Sequence, residues 1–240
     1  MPAQDYILRM IEQLARVLRR IMFLTEGAKY EEAREEIAGA SRQLIGMELG
    51  FLMQLPDEDI IGLLAPPDAN DPSKCLAAAE LIRLRGAVQE ADFGIDASYP
   101  FYLKALNLFL RTAGITDLSR GGYAASVTAI EDKLSAFVLP LGTCSSLLAY
   151  HESAGSYARL EDALFRSLHH LSPDEAIVLA RQIEAIFSRL LGIGDGEIQA
   201  GGLRREEVEE ALKEIRALVQ FQERDDDSSK DSSPEGAAGL

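Results

Sequence analysis

The sequence predicts an all-α fold, an array of antiparallel helical hairpins without strands. Three observations predict it. Apolar residues recur every three or four positions along most of the chain, the period of a helix buried on one face. No run alternates apolar and polar residues between hairpin-turn signals, as a half-buried strand would. Gly27, Gly46, Pro56, Gly155 and Pro173 fall between the periodic stretches, where they stop or start helices rather than interrupt them.

The elements follow in order. Over Gln4–Thr25 the residues Ile7, Met10, Ile11, Leu14, Val17, Leu18 and Ile21 line one face of an amphipathic helix, which Gly27 ends. A second helix runs from Tyr30 through Ala33, Ile37, Ala40 and Leu44 to Gly46, so the two form a hairpin. Met47–Leu55 is short and apolar, and Pro56 then opens a helix whose first turn, Asp57, Glu58 and Asp59, suits the positive end of the helix dipole. The segment Ala65–Pro72, APPDANDP, cannot sustain a helix. It divides an N-terminal hairpin region, 1–64, from a repeat-like region, 73–224, unless 1–224 folds as a single domain.

Beyond that loop, Ser73–Ala91 reads as a helix on Leu76, Ala79, Ile82 and Ala87, Phe93–Ser98 as a turn, and Tyr99–Ala113 as the next helix. A linker over Gly114–Gly122 leads to a helix over Tyr123–Val138, and Pro140 separates it from one over Leu141–Ser153. Tyr157–His170 follows Gly155. Ser172, Pro173 and Glu175 supply an N-cap, a first-turn proline and the acid of a capping box for a helix reaching Leu191. Gly192–Gly202 reads as a glycine-rich turn, and Leu203–Arg224 as the last helix, with Val208, Leu212, Ile215 and Val219 in one stripe. The acidic tail, 225–240, has almost no apolar residues and is expected to be disordered.

Composition excludes several classes of function. A formal charge of −15 opposes nucleic-acid binding, which needs clustered cations against phosphate. Arg9, Glu12, Arg16, Arg19 and Arg20 interrupt the first helix, so neither a signal peptide nor a membrane span is expected there. The arginines of that helix suit a solvated face, with an anionic membrane or an acidic partner as the alternative. Cys75 and Cys144 stand alone in apolar stretches and read as buried free thiols, in keeping with a reducing cytoplasm.

Residues at offsets zero, three, seven and ten share one helical face, where small residues admit a neighbouring helix. Tyr30, Ala33, Ile37 and Ala40 fit this pattern; Tyr102, Ala105, Phe109 and Thr112 fit it moderately; Tyr157, Leu160, Leu164 and Ser167 fit it in part. The pattern resembles the second helix of a tetratricopeptide repeat, in degenerate form. The tyrosine spacing is not a multiple of that family's period, and a generic helix bundle stays open. The opening QDYILRMIEQLARVL and the following GAKYEEAREEI also resemble an uncharacterised family of bacterial helical proteins, over about Gln4–Leu55. That resemblance implies a cytoplasmic, tetratricopeptide-like fold and carries over no catalytic residue.

The residues with chemical potential do not assemble into a motif. His169 and His170 are adjacent, their side chains about 100° apart on a helix, and His151 has no carboxylate three or four positions away, so no metal is expected. These histidines read as surface or cap residues. GIGDGEIQAGG, 192–202, lacks the strand and the Lys-Ser/Thr of a phosphate loop. The pairs Glu131/Asp132 and Glu161/Asp162 diverge around their helices and read as solvated faces. No cofactor or catalytic residue is expected. The leading expectation is a protein-interaction or scaffold module with a protein or peptide partner, Tyr99, Phe101 and Tyr102 lining either the core or a partner groove. The alternatives are self-assembly into a homo-oligomer through the 203–224 helix, whose stripe could instead pack on the chain's own core, and a small-molecule or hydrolytic pocket between helices.

Overall fold

The computed structural model describes residues 2–66, 71–118, 122–168 and 171–230, with side chains for all of these except 2–9, 11, 218 and 220–230. Among the described residues every regular element is an α-helix and there is no strand, as the periodicity requires. The helices fall into two compact units, Met1–Phe137 and Val138–Leu240.

The first unit contains α1 (Pro2–Glu26), α2 (Tyr30–Leu44), α3 (Leu49–Gln54), α4 (Asp57–Leu64), α5 (Ser73–Phe93), α6 (Ile95–Ala113) and α7 (Tyr123–Leu134). Its centre is α5, which packs against each of the other six. That position explains a run such as Cys75-Leu-Ala-Ala-Ala, which is buried all round rather than along one stripe. Gly86 lets α6 approach α5 closely, since a Cβ there would stand 3.0 Å from the Tyr102 ring and 3.2 Å from Phe101 Cβ.

Several boundaries differ from those read in the sequence, among them the end of α7, which falls at Leu134 and not Val138. Helix α6 starts at Ile95, because Gly94 alone, at φ +90°, turns the chain, and Phe93–Ser98 is not a separate turn. Pro100 therefore lies in the second turn of α6. The chain does not divide at 65–72: α4 packs on α5 and α6, Lys104 pairs with Asp57 at 2.8 Å, and Arg111 pairs with Glu58 across that loop. The division comes instead after Phe137, just past the end of α7.

The second unit contains α8 (Leu141–Ser153), α9 (Tyr157–Leu168), α10 (Pro173–Leu190), α11 (Asp195–Ala200) and α12 (Arg205–Lys230). Leu148, Leu160, Leu164, Leu179, Ile183, Phe187 and Ile198 form its core. The glycine-rich segment read as a turn holds the short helix α11. Arg205 fastens that segment, donating to the carbonyls of Leu191 and Ile193 at 2.8 and 2.6 Å and pairing with Asp195. Helix α12 continues through residues 225–230, which were expected to belong to the disordered tail; 231–240 lie outside the described residues. Its stripe of Val208, Leu212, Ile215 and Val219 is buried in the unit's own core, where α12 packs on α10. Of the two readings offered for that stripe, pairing with a second copy or packing on the chain's own core, it takes the second.

Candidate functional site

A groove of about 440 Å³ runs between α1 and α2, lined by Val17, Arg20, Leu24, Glu32, Glu35, Glu36, Gly39, Ala40 and Gln43. Its origin is local. Met10, Leu14, Ile21 and Leu24 of α1, and Ala33, Ile37 and Ala40 of α2, are buried, so the hairpin turns one face inward. The next row outward on each helix is then left as a shallow valley. The half-buried Val17 and Gly39, with the buried Leu24 and Ala40 beneath them, form a narrow apolar strip at its base, and a Cβ on Gly39 would meet nothing within 4 Å.

The rims carry opposite charge. On the α1 side Arg16, Arg19 and Arg20 are exposed; on the α2 side stand Glu32, Glu35 and Glu36. Glu32 is paired with Lys29 at 2.9 Å. Among the described residues no ion pair engages Arg20, Glu35 or Glu36, and the Arg20 guanidinium lies over the Phe23 ring at 5.8 Å. Phe23, on the outer side of α1 near Arg20, is 63 % exposed, whereas Met22 lies about 200° round the helix from Arg20 and faces away from the groove.

A second cavity, of about 210 Å³, lies among α1, α5 and α7 against Leu14, Leu18, Glu80, Tyr123 and Ser126. Its polar wall is internally satisfied. The buried Glu80 carboxylate accepts from Arg83 Nε at 3.1 Å and Nη2 at 2.5 Å, and from Ser126 Oγ at 3.0 Å. Burial, and then the Glu80 charge, raises the Tyr123 phenol above its ordinary range. Such a network fixes the packing of α5 against α7.

The residues singled out in the sequence are placed as follows. Tyr102 is a core residue, 3 % exposed, with its hydroxyl 2.6 Å from Glu90 Oε2. Phe101 lies under the Arg85 guanidinium at 5.4 Å, and the Tyr99 ring packs 4.9 Å from that of Phe137. All three rings are engaged within their own unit. Cys75 and Cys144 are buried free thiols; burial, then the Asp71 charge, pushes Cys75 up to about 11, far from a reactive thiolate at neutral pH. Two expectations of exposure fail. His151 is 1 % exposed although it stands in the last turn of α8, and Glu131 is 2 % exposed, because both lie on the inward faces of their helices. His169 and His170 lie outside the described residues, which hold no cluster of metal-binding side chains.

A family model described as "Family of unknown function (DUF6483)" matches residues 1–220. The chain belongs to this family. No curated protein and no solved structure matches it. The matched residues of DUF6483 span both units and include the whole α1–α2 groove.

Of the groove residues, the sequence pointed to Val17 and Ala40 as helix-face positions and to Arg20 as part of a basic face, but to none of them as a groove. Two signals bear on them: Gly39, set in the middle of an otherwise strong helix former, and the clustering of arginines in the first helix of an acidic chain.

Proposed function

We propose that this DUF6483 chain is a protein-interaction module that receives a helical segment in the groove between α1 and α2. The observation that carries the reading is the groove itself, a mostly polar valley with Val17 and Gly39 at its base, Arg20 on one side and Glu32, Glu35 and Glu36 on the other. Amphipathic helices dock in such grooves through apolar anchors at helical spacing, while rim charges select the partner and its orientation. The open space above Gly39 supports it, since only there does the floor lack a side chain. Arg20 and Phe23 add residue types enriched at interface centres.

We prefer this groove to the surface around Tyr99, Phe101 and Tyr102, because those rings already have partners. The burial of Ala33, Ile37 and Ala40 is in keeping with a degenerate tetratricopeptide-like hairpin, and free thiols at Cys75 and Cys144 suit a cytoplasmic setting.

The test is affinity capture under reducing conditions with the wild-type chain and Gly39→Trp. The bulky ring fills the groove without meeting the core, so the melting temperature is expected to hold while a reproducibly captured protein is lost. Capture that is indifferent to Gly39→Trp would count against the groove.

A further inference from the structure

We infer that the segment received by the α1–α2 groove is the α1–α2 hairpin of a second copy of this chain. The inference rests on the groove reading above and names its occupant from charge. The α2 rim, with Glu35 and Glu36 unengaged among the described residues, calls for a cationic helix. Helix α1 is such a helix. In a chain with 39 acidic and 24 basic residues, Arg16, Arg19 and Arg20 are grouped on its exposed side, next to the exposed Phe23.

Symmetry makes the match reciprocal. Arg20 and Glu36 line one groove, so they stand at the same level of the hairpin. A two-fold axis running along the hairpin between two copies lays each α1 over the other copy's α2 at that level. The arginine rim then meets the glutamate rim twice, as a closed isologous interface requires. The alternative face-to-face arrangement, α1 on α1, opposes arginine to arginine and glutamate to glutamate and is disfavoured.

The size of the face sets the strength. Two helices side by side over the 15 residues of α2 present a face roughly 22 Å long and 20 Å wide. Docking would bury about 900 Å² over both copies, at the weak end of specific interfaces. The dimer is therefore reversible, and because its floor is narrow it depends on the rims and weakens with salt.

Sedimentation velocity of the full chain tests this with two double variants, Arg16→Glu/Arg20→Glu and Glu35→Lys/Glu36→Lys. Arg16, Arg20 and Glu35 are exposed and Glu36 is half-buried at the edge of the groove, so each variant should fold, which circular dichroism checks. The wild type is expected to dimerise, with association falling as salt rises. Each variant alone should self-associate at least about tenfold more weakly. An equimolar mixture of the two should regain a dimer, because every rim then faces its opposite. A monomeric wild type, or a dimer that neither variant weakens, overturns the proposal. Should the wild type be monomeric while Gly39→Trp still abolishes capture of a different protein, the groove reading stands and only the second copy is excluded. Should Gly39→Trp also change nothing, the groove reading falls with it.

Discussion

At the scale of single residues, Glu90 shows how a charge is kept near a core. Its carboxylate accepts from the Tyr102 hydroxyl at 2.6 Å and from Lys133 at 2.5 Å, so it ties α5 to both α6 and α7. Burial would raise its pKa, yet the bonds from Lys133 and Tyr102 outweigh burial and hold it below the ordinary glutamate range. Burial and the same carboxylate drive the Tyr102 phenol upward, which keeps it a donor. A carboxyl whose folded pKa is depressed contributes stability that is present above its unfolded pKa and lost as pH falls through the folded one. For Glu90 that window opens below about 4.5. Glu90→Gln is therefore expected to flatten the loss of stability with acid in this window, measured by urea midpoints between neutral pH and pH of about 3. A pH dependence identical to wild type would refute that role. Tyr102 was visible in the sequence as an aromatic in a helical stripe, but Glu90, twelve residues away, and Lys133 were not, since nothing local pairs them.

At the scale of elements, ends set by local chemistry were legible. Helix α10 starts as its sequence dictates: the Ser172 hydroxyl accepts from the Glu175 amide, and Glu175 returns a bond to the Ser172 amide at 3.1 Å. The Ser172 bonds also hold the Glu175 carboxyl below its ordinary range. Ser172→Ala should lower the stability of this unit by about 0.5–2 kcal/mol, read from chemical denaturation. A change within error would mean that packing alone fixes the start of α10. Ends set by packing were less legible. Residues 95–98 join α6 because Gly94 completes the turn in one residue, and α12 passes the point where apolar residues thin out. Propensity alone did not distinguish those segments from a turn or a tail.

At the scale of the whole molecule the chain divides into two compact units. In the second, Gly201 is packed so tightly that a Cβ would lie 2.2 Å from the Tyr157 ring and 2.6 Å from the Gly155 carbonyl oxygen. The neighbouring Ala158 amide donates to Gly201 O at 2.9 Å, so the backbone there has little room to retreat. Gly201→Ala is expected to cost roughly 1–3 kcal/mol as an overpacked contact. Native-state hydrogen exchange should show that cost in the amides of α8–α10 and leave those of α5 and α6 unchanged. Equal loss of protection in both units would show instead that they open together.

The sequence by itself determined that the fold is all-α, where most helices begin, and that Cys75 and Cys144 are inward-facing, because helical period and capping are local properties of neighbouring residues. Only the tertiary structure decided that α4 belongs with α5 and α6, that the α12 stripe is occupied by α10, that Glu131 and His151 are inside, and that a charged-rimmed groove remains between α1 and α2. Periodicity tells a helix which face is apolar, but not which neighbour covers it. That choice depends on contacts between residues distant in the chain.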